Sequence, residues 1–337
     1  MRPARASVIV PCLNEADHIE ALLDAVRLQD EPPCEVIVVD GGSVDGTRAI
    51  VERYQADHPG FPVTLLVKPP GWIPVSLNAG IGVAAGDIVA RLDAHSRPRP
   101  DYLGRLARLL SVSNVGVTGG RWEIEPGDET RVARAIAWAV QHPFGAGDAA
   151  YRVAPARGQV RPVDTVPFGC FEKSLWASLD GFNERLQVNE DYDFNHRVRL
   201  AGREVLLDPS AVSTYVARET LGQLARQYFR YGWWKVEMLR RYPRALRWRQ
   251  AVPMLFVLSL GILGVGTAVT SVLVPWLAAL LLAYAAVAAI VTASMAYQRR
   301  AWWALAVLPV VFAVIHMAWG SGALLNLMTF GRWPGWR

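Results

Sequence analysis

The first ninety residues alternate short apolar runs with stretches whose apolar residues recur at helical spacing. The apolar runs lie at 6–10, 35–39, 63–67 and 87–92, and the helical patterns lie at 15–28, 47–54 and 75–85. Short, nearly continuous apolar runs are typical of strands buried on both faces of a parallel sheet. Strands that alternate with helices predict an α/β fold with a mostly parallel, doubly wound sheet.

Polar residues follow three of these runs, where the predicted strands end. They are Pro11 and Asn14, then Asp40, Ser43 and Asp45, then Asp93 and His95. Right-handed crossovers bring such strand ends to one rim of the sheet, where open α/β sheets bind ligands. Asp93 and His95 supply oxygen and nitrogen ligands for a divalent cation, although each acid alone could instead cap a helix.

The glycine signatures of nucleotide-binding loops are missing from this rim. The first strand is followed by PCLNEAD rather than G-x-G-x-x-G, and the chain has no G-x-x-x-x-G-K-[ST] loop. Acids at the rim favour a ligand held through base, ribose and a metal-bridged diphosphate.

The middle of the chain adds a strand, a long irregular stretch and a second pair of acids. Residues 116–123 predict a strand, and 126–165 predict an irregular loop. In it, Arg152 and Arg161 are either candidates for phosphate contacts or solvated loop charges. Glu190 and Asp191 precede apolar residues at helical spacing, so they begin a helix. Acids there can serve the helix dipole alone.

Charge divides the chain into three parts. Residues 1–216 carry a net charge of −6, residues 217–250 carry +7 and the remainder carries +4. Residues 251–298 hold no charged side chain and are long enough for two membrane-spanning helices with a turn near Pro275. Residues 301–331 form a third apolar run, which is either a third span or, because polar residues interrupt its end, a short or interfacial helix. The basic segment predicts that the acidic part lies in the cytoplasm.

The amino terminus shows no signal-peptide pattern, because the apolar run at 7–12 is short and acids follow it. Cys12, Cys34 and Cys170 are widely spaced, which is typical of buried thiols in a reducing compartment. We expect no nucleic-acid partner.

Three ordered motifs give the chain a family resemblance. VIVPCLNEADHIEALLDAV, EVIVVDGGSVDGT and SLNAGIGVAAGDIVARLDAH resemble the inverting family 2 glycosyltransferases, and the resemblance extends over residues 6–235. It implies the GT-A fold, a nucleotide-diphospho-sugar transferase sheet flanked by helices, here with C-terminal transmembrane helices. The DAH variant, NEDYDFNHR and RQYFRYGWW are most similar to the exopolysaccharide branch typified by succinoglycan glucosyltransferases.

The resemblance implies roles for particular residues. Pro11, Glu15 and Asp40, together with Asn14 and Ser43, would bind the donor nucleotide, as would Lys68 and Asn78 in the K...ALN segment. Asp93 would be the first acid of the metal motif D-x-D, in which His95 replaces the second acid, for Mn²⁺ or Mg²⁺. Asp191 would be the catalytic base beside Glu190. The acceptor or diphosphate would meet Gln227, Arg230, Tyr231 and Trp234, where the family has Q-x-x-R-W.

We therefore predict a cytosolic catalytic domain at 1–216, an amphipathic basic segment at 217–250 and a membrane domain at 251–337 with two or three helices. The predicted enzyme transfers a sugar, UDP-linked by preference, to a hydroxyl of a polyprenyl-diphosphate glycan at the bacterial inner membrane. Three alternatives remain open: transfer to polyprenyl phosphate itself, a processive polymer synthase, and a non-catalytic nucleotide-binding membrane protein. An amphipathic interface helix is the alternative for the region around Arg230.

Overall fold

The computed structural model describes residues 5–68, 72–245 and 247–330. The chain forms two compact units. Unit 1 contains Met1–Glu123 and Ala149–Tyr215, and unit 2 contains Ile124–Asp148 and Val216–Arg337. The domain boundaries drawn from the sequence at 216 and 250 stay predictions.

The predicted alternation of strands and helices is confirmed in unit 1. Its first elements are β1 (Ala6–Cys12), α1 (Ile19–Arg27), β2 (Glu35–Asp40), α2 (Thr47–Asp57), β3 (Val63–Val67), α3 (Ile73–Val83) and β4 (Ile88–Arg91). The strands lie in the order β3-β2-β1-β4, and all three pairings are parallel. β1 extends two residues beyond the predicted run, because Pro11 and Cys12 still pair with Val39 and Asp40.

Antiparallel strands extend the sheet beyond β4, so the complete sheet is mixed. The further elements along the chain are β5 (Arg97–Pro98), α4 (Tyr102–Leu110), β6 (Val115–Glu125), α5 (Arg131–Ala139), α6 (Pro143–Ala146), α7 (Ala150–Val153), β7 (Arg161–Pro162), β8 (Cys170–Glu172), α8 (Lys173–Ser178), α9 (Glu190–Leu200) and β9 (Glu204–Val216); of these, α5 and α6 belong to unit 2. β8 pairs antiparallel with both β4 and β6. The strand predicted at 116–123 is confirmed as β6.

The stretch predicted to be irregular at 126–165 is partly helical, so that prediction was wrong. It contains α5, α6, α7 and the short strand β7. α5 begins at a side-chain cap, since the Thr130 hydroxyl accepts a hydrogen bond from the Ala133 N–H, and it buries Ala133 and Ile136. The Gly- and Pro-rich residues that follow it obscured this helical spacing in the sequence.

The core of unit 1 fixes the start of α9. Phe194, one turn into α9, is buried against Phe171 of β8 and Phe182, with ring centroids 4.9 and 4.8 Å apart. Because an aromatic contact between buried rings allows little sliding, the first turn of α9 is held at a fixed position against the sheet.

Unit 2 contains the long helices. They are α10 (Leu221–Arg241), α11 (Trp248–Thr267), α12 (Val274–Gln298) and α13 (Ala304–Thr329). By length and composition, α11, α12 and α13 could each cross a membrane. Two helices are found where the sequence predicted them within 251–298, and their crossing of a membrane stays a prediction. The turn lies at 268–273, just before the predicted Pro275, which is the second residue of α12. The third apolar run is one continuous 26-residue helix as far as Thr329; its predicted end at 331 lies outside the described residues.

A close approach of backbones at Gly86 gives a test of the sheet. A Cβ at this residue would lie 2.5 Å from the Ser7 Oγ atom and 2.6 Å from the Arg5 carbonyl oxygen. We expect Gly86→Ala to lower the free energy of unfolding by about 1–3 kcal/mol, because the neighbouring backbone must move. Thermal unfolding of the purified chain in detergent measures the effect.

Gly82→Ala is the matched control. A Cβ at Gly82, inside α3, would meet nothing within 4 Å, so this change should leave the melting temperature equal or slightly higher because alanine favours helix. Equal melting temperatures for the two variants would contradict the close approach at Gly86.

Candidate active site at the strand ends

The loops after β1 and β2 are joined by hydrogen bonds, as expected for strand ends on one rim. The Asn14 N–H donates to the Ser43 hydroxyl at 2.8 Å, and the Val44 N–H donates to the Asn14 side-chain oxygen at 2.9 Å. Asp45 accepts hydrogen bonds from the Ala16 N–H and from Thr47. Asp45 therefore has the structural role that a helix-start acid commonly has.

Asp40 is fully buried at the end of β2 and holds the turn that follows. Its carboxylate accepts hydrogen bonds from the Gly42 and Ser43 N–H groups and from the Arg48 Nε–H, the last at 2.5 Å. Burial favours its neutral form, but the hydrogen bonds from Ser43 and Arg48 outweigh burial and lower the pKa of Asp40. Asp40 is thus an ionised anchor for the 41–48 loop.

The loop after β4 lies next to the loop after β1. The Nδ1 atom of His95 lies 3.0 Å from the Glu15 Oε1 atom, and the His95 side chain is about one-third exposed. The imidazole is also edge-on to Tyr215, with ring centroids 6.3 Å apart. Two residues predicted for different subsites, Glu15 and His95, therefore contact each other directly.

Arg91 contacts three acids that the sequence analysis named as candidate site residues. Its guanidinium lies 2.9 Å from Asp93, 2.8 Å from Glu190 and 2.7 Å from Asp191. Arg91 ends β4 and its side chain is 4% exposed, whereas Asp93 and Asp191 are 21% and 22% exposed. Asp93 and Asp191 therefore form the partly accessible rim of a cluster in which Arg91 and Glu190 are buried.

The charges of this cluster do not balance. Three carboxylates surround one guanidinium, so the formal charge is −2. Burial raises the pKa of Asp191, Arg91 lowers it, and the neighbouring charges of Glu190 and Asp93 raise it again, so the net shift is upward. A carboxylate whose pKa is raised in this way is a better proton acceptor than an ordinary aspartate, as a general base requires.

Sequence reasoning missed Arg91, although a signal was present. An arginine inside a strand that is otherwise IVA is unusual, because a buried cation requires partners. The partners are two residues ahead in Asp93 and about a hundred residues ahead in α9. The pairing of Arg91 with Asp93 can be inferred from the sequence, whereas its pairing with Glu190 and Asp191 was shown only by the tertiary structure.

An aromatic layer beside His95 was also not predicted. Trp122 of β6 stacks on Tyr215 of β9 with centroids 4.2 Å apart and parallel planes. The guanidinium of Arg152 lies 4.8 Å from the centre of the Trp122 ring, and Arg152 is buried. Arg152, a candidate for phosphate contacts, thus contacts aromatic rings and is not a solvated loop charge, whereas Arg161 is exposed in β7.

The remaining predicted donor residues hold other parts of unit 1. Pro11 is buried in β1, and the backbone N–H of Lys68 donates to the Asp40 carbonyl after β3. The Asn78 side chain of α3 bonds to the backbone of Phe182, the indole of Trp176 and the carboxylate of Glu184. Asn78 therefore ties α3 to the loop before α9, and its contact with a donor stays a prediction.

The four residues predicted for the acceptor or diphosphate all lie on α10 in unit 2. Gln227, Arg230 and Tyr231 are half-buried and Trp234 is buried. The Tyr231 ring is edge-on to Tyr228 at 5.5 Å. α10 begins with a capping box in which Thr220 and Gln223 satisfy each other's backbone N–H groups.

A metal site was predicted from Asp93 and His95. Across residues 5–68, 72–245 and 247–330, no three His, Cys, Asp or Glu side chains converge as ligands of one ion. The oxygen donors and the excess charge of −2 around Arg91 nevertheless suit a hard divalent cation whose remaining ligands come from a bound molecule.

Comparison with known proteins relates residues 7–170 to a protein family. Residues 7–170 match the family model described as Glycosyl transferase family 2. The succinoglycan biosynthesis protein ExoA of Rhizobium meliloti is 26% identical over 334 residues, which cover 96% of either chain. ExoO of the same organism is 28% identical over 65% of this chain and 62% of its own.

A solved structure has the same fold. The mannosyltransferase PcManGT from Pyrobaculum calidifontis, in complex with GDP-Man and Mn²⁺, is 21% identical with a TM-score of 0.64, and the match covers 97% of this chain and 88% of that one. The predicted fold is therefore confirmed. Residues 7–170 are a domain of glycosyltransferase family 2, built on the GT-A fold.

Proposed function

We propose that the chain is a membrane-anchored inverting glycosyltransferase of exopolysaccharide synthesis. It transfers a hexose, glucose or a related sugar, from a UDP-sugar to a hydroxyl of a polyprenyl-diphosphate-linked glycan. The similarity to ExoA over nearly the whole chain supports the pathway class. The observation that carries the chemistry is the cluster of Asp93, Glu190 and Asp191 around Arg91.

Asp191 is the base in this proposal. The acceptor hydroxyl gives its proton to the Asp191 carboxylate while its oxygen forms a bond to the anomeric carbon. The bond from that carbon to the diphosphate oxygen breaks, and the nucleoside diphosphate leaves with the electron pair. One displacement inverts the anomeric centre and requires no covalent nucleophile. The raised pKa of Asp191 favours this proton transfer.

Arg91 and Glu190 orient that base. The planar guanidinium contacts Glu190 and Asp191 through Nη1 and Asp93 through Nε and Nη2. A single rigid group thus fixes the base at the start of α9 relative to the acid at the end of β4. The distance between Asp191 and Asp93 matters because the acceptor hydroxyl must be aligned with the donor for effective transfer.

Asp93 and His95 are the residues that would hold Mn²⁺ or Mg²⁺. The bound cation would neutralise the diphosphate as it leaves. The nucleoside would meet Pro11, Asn14, Glu15, Asp40 and Ser43, with Lys68 and Asn78 nearer the sugar. On α10, Gln227, Arg230, Tyr231 and Trp234 would meet the acceptor or its diphosphate, because Arg binds phosphate as a bidentate donor and aromatic rings stack on sugars.

The proposed location is the bacterial inner membrane, with the catalytic domain in the cytoplasm. The basic residues at the end of α10 and just before α11 support this orientation by the positive-inside rule. They also suit an anionic lipid-linked acceptor at the inner leaflet. A glycosyl acceptor and the enzyme would then meet at one surface.

Replacement of the base tests the proposed function. We expect Asp191→Asn to lower transfer to a lipid-linked acceptor by about 10²–10⁴-fold, because the proton acceptor is lost. The same variant should still be stabilised thermally by a UDP-sugar with Mn²⁺. Radiolabelled transfer to extracted lipid-linked glycan and thermal shift with a panel of nucleotide sugars are the measurements.

Asp180→Asn is the control for that experiment. Asp180 is exposed and has a φ of 59°, a conformation that asparagine also adopts readily. It should keep both transfer and binding. Near-normal transfer by Asp191→Asn would remove Asp191 from the base role, and the absence of stabilisation by every nucleotide sugar would contradict the proposed donor.

The pH dependence follows from the upward pKa shift of Asp191. Lowering the pH protonates the base, so activity should fall on the acid side. This limb should lie clearly above the ordinary aspartate value of about 3.9, because burial and two neighbouring carboxylates favour the protonated form. A profile of kcat/KM between pH 4 and 9 tests it, and full activity at pH 5 would be inconsistent with the shift.

Arg91→Lys tests the orienting role. Lysine keeps the positive charge but replaces a planar fork by a point charge, so it cannot contact all three carboxylates with the same geometry. We expect kcat to fall by about 100-fold, since a displacement of about 1 Å has such an effect, and steady-state kinetics of transfer measure it.

Arg53→Lys is the matched control on an exposed pair. Arg53 contacts Glu20 at 2.7 Å with both side chains more than half exposed, so kcat and stability should remain near wild type. If Arg91→Lys also retained full kcat, a general positive charge rather than the fork geometry would be sufficient.

A further inference from the structure

The helices α11 and α12 run antiparallel in unit 2. A six-residue turn joins them, and Phe256 of α11 stacks on Tyr284 of α12 with ring centroids 4.6 Å apart. If this pair crosses a bilayer, the start of α11 and the end of α12 lie on the same side. Since α13 begins six residues after Gln298, its start lies on that side too.

The other end of α13 returns to the start of α11. A third crossing of 26 residues would run about 39 Å and finish beside the far end of α11. Instead, Gly320 packs against the carbonyl of Pro253, and a Cβ at Gly320 would lie 2.6 Å from the Val257 side chain. Pro253 and Val257 belong to the first half of α11. The last part of α13 therefore lies near the side where α11 begins.

A polar contact near the end of α13 supports the same placement. The Asn326 side-chain amide donates to Glu237 at 2.9 Å, and Arg240 donates to the Asn326 side-chain and backbone oxygens, both at 3.0 Å. Glu237 and Arg240 are charged residues of α10, which precedes α11. Ionised side chains are strongly disfavoured in the hydrocarbon centre, so this contact marks the water-facing side.

The helices α10 and α13 lie against each other along much of their length. Gly232 of α10 contacts the backbone carbonyl of Trp319, and Gly322 of α13 contacts that of Phe229. Such glycine contacts allow close helix packing. In its most apolar window, 33% of α13 is buried by protein, against none of α11 and 6% of α12. Of the three apolar helices, α13 is therefore the one that protein covers most.

The outer face of α13 is apolar, and none of the described residues covers it. Its exposed residues as far as Leu325 are Leu305, Ala306, Val310, Met317 and Leu325, and Leu327 and Met328 are exposed in the last turn. α13 contains no charged residue, while α10 and the residues before α11 carry the arginines. The pair of α10 and α13 therefore combines a basic helix with an apolar face. Such a combination is typical of protein at a membrane surface, where arginines contact anionic headgroups and the apolar face contacts lipid.

We infer that α13 does not cross the bilayer but lies in the interface between water and lipid beside α10. As far as Leu325, its outer face is then covered by the lipid leaflet on the α10 side. Met328, in the last turn beside the polar contact of Asn326, lies at the water-facing end of the helix on that same side. Among the helices in the described part of the chain, α11 and α12 are the two that cross. The inference depends on α11 and α12 crossing a bilayer and is independent of the proposed glycosyl transfer.

Single-cysteine labelling of the full chain in cells tests this arrangement. The background replaces Cys12, Cys34 and Cys170 by alanine, and one exposed residue at a time becomes cysteine: Ser271→Cys between α11 and α12, Gln298→Cys at the end of α12, or Met328→Cys near the end of α13. The probe is a membrane-impermeant maleimide, added before and after permeabilisation. All three residues should label after permeabilisation.

We expect Met328→Cys to behave like Gln298→Cys and opposite to Ser271→Cys, which reacts in intact cells when α10 is cytoplasmic. Labelling of Met328→Cys together with Ser271→Cys would show a third crossing and overturn the inference. Identical labelling at all three sites would show that α11 and α12 do not cross, which also overturns it. Leu327→Cys, also exposed, repeats the test if Met328→Cys fails to accumulate in the membrane.

Discussion

The pairing of Arg91 with three carboxylates is the interaction on which the candidate site depends. A buried guanidinium is tolerated only with close anionic partners, and Arg91 finds them at the end of its own strand and at the start of α9. The cation also lets three acids approach one another, which they would resist alone. Removal of this one group would leave a concentrated negative charge at the end of β4.

The sheet explains why this cluster can exist. β4 lies between the parallel strand β1 and the antiparallel strand β8, so Arg91 ends an interior strand of the sheet, and its side chain is buried. The phenylalanine contacts of α9 fix the height at which Glu190 and Asp191 stand above the sheet. The chemistry at the rim is thus precise because apolar packing beneath it is rigid.

In unit 2, too, close packing fixes the position of polar groups. Glycines at the contact of α10 and α13 let two backbones touch, and Asn326 satisfies the charged residues that this contact brings together. Hydropathy alone treats α13 as equal to α11 and α12. The polar contacts of Asn326 with α10 distinguish α13 from α11 and α12. They place the end of α13 on the side where it begins, whereas a helix that crosses a bilayer ends on the opposite side.

The sequence by itself determined the order of strands and helices as far as β4, because local apolar spacing sets those elements. It also determined that polar loops meet at one rim and that the chain has long apolar helices. It placed Asp93, Glu190 and Asp191 as candidates but could not join them, since about a hundred residues separate the two motifs. Only the tertiary structure showed that Arg91 connects them, that α5 interrupts the expected loop and that α13 lies along α10. These features depend on contacts between distant residues, whose partners no local pattern specifies.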